Sequence, residues 1–209
     1  MTQNKSSHEK TLFLVKFALL LAILVVIAFV PALGSIPIGP VVATTAAVPV
    51  VIAGILLGPK PGALMGFFFG LLSFIVMSFV YPTPASFIFT PFYSVGDIKG
   101  NFWSLVICFV PRILIGVVAG GVCRFFEKRL EGKKVRKLFS YGLAGVLGSL
   151  TNTFLVLGGV ALFLAEQYKA LIGGQALLLA IGTTVLVNGL PEAALAGIVA
   201  MGVGSVMKR

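Results

Sequence analysis

Residues 102–126, FWSLVICFVPRILIGVVAGGVCRFF, are apolar almost throughout, yet they hold one charge in their interior, Arg112, directly after Pro111. The run is longer than the roughly 20 residues that carry an α-helix across bilayer hydrocarbon. Its side chains do not alternate polar and apolar as a barrel strand requires, so in lipid its backbone can satisfy its own hydrogen bonds only as a helix. The rest of the chain reads the same way. Over 209 residues, 58% are hydrophobic and 11% charged, and the mean hydropathy is +1.10. A soluble domain of this composition lacks the polar groups to cover its surface. The expected fold is an all-α integral membrane protein with six transmembrane helices in one bundle, forming a single domain over residues 1–209.

Helix breakers divide the apolar runs into spans at 11–30, 46–57, 61–80, 102–126, 138–165 and 174–206. Pro31 ends the first and Gly58-Pro59 ends the second, which is short. The first run is too long for a signal-peptide core and lacks a small-residue cleavage site, so it reads as a span. The last is longer than one crossing and must tilt or project. Between the first two, Gly34, Pro37, Gly39 and Pro40 argue against regular structure, and residues 32–45 read as a loop or re-entrant segment.

Lys and Arg set the orientation. With residues 1–10 as a cytoplasmic tail, one face collects Lys5, Lys10, Lys16, Lys60, Arg124, Lys128, Arg129, Lys133, Lys134, Arg136, Lys137, Lys208 and Arg209, while the other holds Lys99 and Lys169. Both termini are therefore expected in the cytoplasm, with 127–137 a basic cytoplasmic loop beside membrane lipid and 81–101 an external loop. The net charge of +10 is largely this topology signal and does not point to nucleic acid. Cys108 and Cys123 fall in one helix, out of reach of each other, and imply neither a disulfide nor a metal site.

Small residues recur every fourth position, at Gly62, Gly66 and Gly70, at Gly116 and Gly120, and at Gly189, Ala193 and Gly197. Helices with such stripes pack closely. Only Arg112 and Glu192 place charge deep within spans, since Lys16 is near enough to an end to snorkel. A charge there costs at least about 2.5–3.5 kcal/mol, so each must be paired, hydrated or facing a cavity. At about 1.5 Å per residue, Arg112 lies roughly 18 Å from Arg124 and Glu192 roughly 24 Å from Lys208, a similar depth. Both follow prolines, Pro111 and Pro191. A structural ion pair joining two helices would account for the charges alone. Their polar company favours a small-molecule site: Thr184, Asn188 and Glu192 share a spacing of four, as Gly145, Ser149 and Asn152 nearly do. Thr44 and Thr45 offer hydroxyls from the 32–45 segment. Trp103, at the head of its span, is a further candidate for the site or an interfacial anchor.

An enzyme is not expected. The one histidine, His8, lies in the tail, which excludes a Ser-His hydrolase, and no acidic cluster suits a metal-dependent transferase. No phosphate loop is present, so ATP-driven work would require a partner.

Ile36 to Leu57 (IPIGPVVATTAAVPVVIAGILL), Gly58 to Gly70 (GPKPGALMGFFFG), Val110 to Gly116 (VPRILIG) and Gly148 to Gly159 (GSLTNTFLVLGG) resemble the substrate-binding S components of the energy-coupling factor (ECF) vitamin transporters. The likeness covers nearly the whole chain and is greatest to the pantothenate-specific members. It implies a six-helix subunit of the bacterial cytoplasmic membrane, without a cofactor, that captures a water-soluble vitamin from outside. It then topples when a transmembrane coupling subunit and two ATP-binding cassette ATPases turn over. Ala18 and Ala22 match the AxxxA pattern by which the family's first helix meets the coupling subunit. Pantothenate would place its carboxylate on Arg112 and its polar groups on Asn152, Asn188 and Glu192. Cobalamin, folate or riboflavin are the alternative vitamins within the family, and a stand-alone carrier or channel is the alternative outside it.

Overall fold

The computed structural model describes residues 2–30, 34–38, 41–96, 98–129, 134–173 and 176–207. In chain order these form α1 (Thr2–Phe29), β1 (Ser35–Ile38), β2 (Val41–Thr44), α2 (Ala47–Leu57) and α3 (Pro59–Ile75), which runs on as a π turn (Val76–Val80). A 3₁₀ turn (Pro84–Ile88), β3 (Ser94–Val95) and β4 (Ile98–Lys99) lead to α4 (Phe102–Arg129) and α5 (Lys134–Phe163). The chain ends with α6 (Ala165–Leu171), α7 (Leu177–Thr184), a second π turn (Val185–Gly189) and α8 (Leu190–Met207).

Among the described residues, five helical runs are long and apolar enough to cross a membrane: His8–Phe29, Pro59–Val80, Phe102–Arg129, Lys137–Phe163 and Leu177–Met207. The remaining apolar helix, α2, has 11 residues and at about 1.5 Å per residue reaches roughly half the hydrocarbon thickness. It is nonetheless central, with Val50, Val51, Ala53 and Ile55 almost wholly buried. Gly58 turns the chain from α2 into α3 at a φ of 104°, a left-handed conformation that favours glycine. Pro59 then begins α3 at once, its missing N–H costing nothing at a helix start.

Two sequence expectations change. Residues 35–44, expected to be irregular, contain an antiparallel hairpin in which Ile38 pairs with Val41 and Ser35 with Thr44. The β-branched residues on either side of Gly39-Pro40 outweigh the breakers. The polar tail continues the first helix back to Thr2 instead of standing apart from it.

Close glycine contacts set the helix spacing. A Cβ on Gly62 would stand 2.7 Å from the carbonyl oxygen of Gly116, and one on Gly54 2.6 Å from the same atom. The α2, α3 and α4 backbones therefore meet at a three-way crossing that larger residues would pry open. Gly145 lies against Ala196 and Ala200, joining α5 to α8 in the same manner. Around these seams one core gathers Leu24, Val50, Val51, Met65, Ile115 and Ala119. A second, of Phe87, Ile88, Ile107, Val160 and Leu164, fastens loop 81–101 onto the head of the bundle.

Candidate functional site

A cavity of about 420 Å³ lies between the hairpin end of α1, α3, α4, α5 and the start of α8, beneath loop 81–101. Arg112, Asn152 and Glu192 line it, with Ser73, Tyr81 and Thr83 adding hydroxyls, and Phe69, Phe89 and Met77 among its apolar walls. Its size falls in the roughly 300–1,000 Å³ range of small-molecule sites, and its mixed lining is typical of them.

Arg112 is held from several sides. Pro111 cannot donate to the carbonyl of Ile107, four residues earlier, and its ring crowds that carbonyl. The Arg112 side chain, leaning back toward the helix N-terminus as helical side chains do, donates from Nη1 to this oxygen at 2.8 Å. The Phe89 ring lies 4.4 Å from the guanidinium carbon and the Phe69 ring 5.7 Å away, and cation–π attraction of this kind is worth about 0.5–2 kcal/mol. Gly66 of α3 passes directly over the Arg112 carbonyl, where any Cβ would collide with it. With the side chain 6% exposed, the guanidinium has a fixed position at the cavity wall.

Two buried side-chain atoms have no hydrogen-bond partner among the described residues, Arg112 Nε and Asn152 Oδ1. Both residues line this cavity. A buried donor on a cation and a buried acceptor on a neighbouring helix thus belong to residues that share one cavity. A ligand that supplies an acceptor to the first and a donor to the second relieves a penalty of about 1–3 kcal/mol at each. Glu192 brings a carboxylate to the same cavity, and its charge interacts with that of Arg112.

The structure gathers Arg112, Asn152 and Glu192 from the sequence candidates and places the others elsewhere. The half-buried Thr184 turns its hydroxyl back to the Ala180 carbonyl at 2.8 Å, and Asn188 sits in the π turn; neither lines the cavity. The spacing of four that aligned them with Glu192 holds only in an α-helix, and the wider π turn breaks that register. Its position fits Pro191, whose ring crowds the carbonyl of Val187 within the turn. Thr45 borders apolar grooves beside α1, and the Thr44 side chain lies outside the described residues. Trp103 stacks on Phe163, rings 3.9 Å apart and 4° from parallel, at the exposed head of α4. Ala18 and Ala22 are exposed on α1.

Sequence reasoning passed over Phe69, Phe89, Ser73 and Tyr81. In a chain with 18 phenylalanines, a ring that meets a cation looks like one that meets lipid. Loop 81–101, rich in proline and aromatic residues, reads from sequence as an external loop able to act as a lid or an interfacial anchor. In the structure it roofs the cavity, with Phe87 fully buried and the Ser104 hydroxyl donating to its carbonyl at 2.7 Å.

An apolar helical bundle around a cavity of mixed lining, with a cation, an amide and a carboxylate in its wall, is the architecture of a membrane protein that binds a small molecule. Residues 12–204 match the family described as "ECF transporter, substrate-specific component". The chain is 35% identical over 201 residues to the pantothenic acid transporter PanT of Lactococcus lactis subsp. cremoris, covering 94% of this chain and 91% of that protein. It is 34% identical over 152 residues to the pantothenate transporter PanT of Leuconostoc mesenteroides, covering 70% and 67%. The chain belongs to the family of ECF transporter substrate-specific components, multi-pass proteins of the cytoplasmic membrane.

Proposed function

We propose that the chain captures pantothenate for an ECF-type importer, with Arg112 holding the carboxylate and Asn152 and Glu192 accepting hydrogens from the ligand's amide and hydroxyl groups. The observation that carries this reading is the pair of unpartnered buried atoms, Arg112 Nε and Asn152 Oδ1, in residues that line one cavity. Pantothenate has a carboxylate at one end, two hydroxyls at the other and an amide between, an order that suits a cation and acceptors on separate helices. The names of the two relatives support the same vitamin. Glu192 would repel the carboxylate at close range and belongs at the hydroxyl end.

In this reading α2, too short to cross alone, completes a sixth crossing together with the hairpin strands that precede it, the basic residues keep both termini in the cytoplasm, and the cavity faces outward beneath loop 81–101. The exposed face of α1 around Ala18 and Ala22 meets the transmembrane coupling subunit, and two ATPases drive release inward. Purified protein in detergent, screened by thermal shift against pantothenate, cobalamin, folate and riboflavin, is expected to gain stability with pantothenate alone, because a tight ligand stabilises the folded state by mass action. Arg112→Ala should insert and fold but lose that gain; full affinity in a folded variant sinks the assignment. Vesicles carrying the chain without ATPases should bind pantothenate and not accumulate it, whereas accumulation would favour a stand-alone carrier.

A further inference from the structure

We propose that Pro111 is a positioning residue that sets the selectivity of the cavity for a carboxylate over its neutral counterpart, acting entirely through Arg112. This rests on the reading of Arg112 as the carboxylate anchor and adds the device that aims it. An ordinary residue at position 111 would donate its backbone N–H to the carbonyl of Ile107. Proline has no such donor, and its ring pushes that carbonyl off the helix axis. In the structure the carbonyl receives the Arg112 Nη1 hydrogen at 2.8 Å. Nη1 is thereby tied back to its own helix, while Nε remains unpartnered. One end of the guanidinium is anchored, and the Phe89 ring 4.4 Å from its central carbon limits rotation of the rest about the side chain.

The arrangement costs the helix one backbone hydrogen bond and returns a charge-assisted one. It also fixes a side chain that otherwise samples many rotamers, and ordering it beforehand removes an entropy cost from binding. Gly66 closes the other side, because the Arg112 backbone cannot shift toward α3 without changing the contact between that glycine and the Arg112 carbonyl. Proline, carbonyl, guanidinium and rings thus form one support whose output is the direction in which Arg112 donates.

The test is Pro111→Ala, which restores the amide and improves helix propensity, so loss of folding is not the expected result. Affinities for pantothenate and for pantothenol, in which a CH₂OH group replaces the carboxylate, are measured by titration calorimetry on parent and variant in the same detergent. In the variant the restored amide draws the Ile107 carbonyl back toward the helix axis and competes for it, so the Arg112 tether weakens and changes direction. Pantothenate should then weaken by about tenfold or more, the scale of a misplaced charge-assisted hydrogen bond, while pantothenol changes by less than about twofold, so that the preference collapses. A merely structural proline would weaken both ligands by the same factor, and that result, or no change in either, overturns the inference while leaving the function standing. A parent protein that binds neither compound fails the functional reading itself and takes this inference with it.

Discussion

The helices α1 and α4 have the same length, 28 residues each, and are used in opposite ways. Over an apolar stretch of 18 residues in each, 11% of residues are buried in the bundle in α1, against 44% in α4. Leu20 and Leu24 are the core anchors of α1, and around them Leu12, Phe13, Leu14, Val15, Leu19, Ile23 and Val26 face outward. By contrast α4 presents Gly116 and Gly120 to α2 and α3, Ile115 and Ala119 to the core, and Arg112 to the cavity. Hydrophobicity alone does not separate the two, because lipid and protein interior are equally apolar. What separates them is the small residues, which permit contact between backbones, and the buried charge, which requires it. α4 gives the cavity its cation; α1 borders the cavity at one end and keeps the rest of its surface exposed.

The comparison is broken most severely through the glycine seam. Gly66→Leu would push a side chain against the Arg112 carbonyl, where the obstacle is backbone and cannot rotate away. Its cost should exceed the about 1–3 kcal/mol of ordinary overpacking, giving little folded protein by size-exclusion chromatography in detergent. Leu19→Ala, on the exposed face of α1, should leave yield and melting temperature unchanged.

Next comes the charge itself. Arg112→Lys keeps a cation in the cavity but lacks the planar fork that reaches the Ile107 carbonyl and a ligand together. Pantothenate affinity should fall at least about 100-fold, roughly 2.7 kcal/mol, with the fold intact by thermal denaturation. Affinity within tenfold of the parent would reduce Arg112 to a nonspecific positive charge.

A smaller effect with two opposite signs is expected at Asn152. Its Oδ1 is buried without a partner among the described residues, so Asn152→Leu should stabilise the ligand-free protein by about 1 kcal/mol and weaken pantothenate binding about tenfold. Thermal denaturation without ligand and calorimetry with it read the two changes separately. A variant that loses both stability and binding would make Asn152 a packing residue.

Much of this is legible in the sequence, and where the structure places residues differently the causes are identifiable. Charge inside an apolar run is conspicuous because its cost is high, so Arg112 and Glu192 stood out, and the four-residue glycine spacing marked seams that the structure contains. Asn152 stands out by its spacing with Gly145 and Ser149 on one helix face, and it lines the cavity. Thr184 and Asn188 were grouped with Glu192 by assuming an unbroken α-helix, and the π turn at Val185–Gly189 removes that assumption. Pro191 removes an amide donor inside this run, but where along the helix the strain is absorbed depends on neighbours distant in sequence. Phe89 was illegible for a different reason: its contact with Arg112 exists only because loop 81–101 folds over the head of the bundle, and no local pattern reports that.

The mildest perturbation of the isolated chain sharpens the comparison most. Ala18 and Ala22 are exposed on α1, and Ala22 borders a shallow groove with Ile23, Val26, Ile27 and Thr45. Replacing Ala22 by Trp adds a bulky ring to a face that meets lipid when the chain is alone, where apolar bulk carries little penalty. Pantothenate affinity and melting temperature should therefore stay within about twofold and about 2 °C of the parent, as expected for a surface change of less than about 0.5 kcal/mol. If this face is where the coupling subunit packs, closely apposed backbones there have no room for the ring, and pantothenate uptake by vesicles containing the complete transporter should drop severalfold or more. Normal uptake would place the partner contact elsewhere on the bundle. Reduced binding by the isolated chain would show that α1 shapes the cavity as well as bordering it, and the division of labour between α1 and α4 would have to be redrawn.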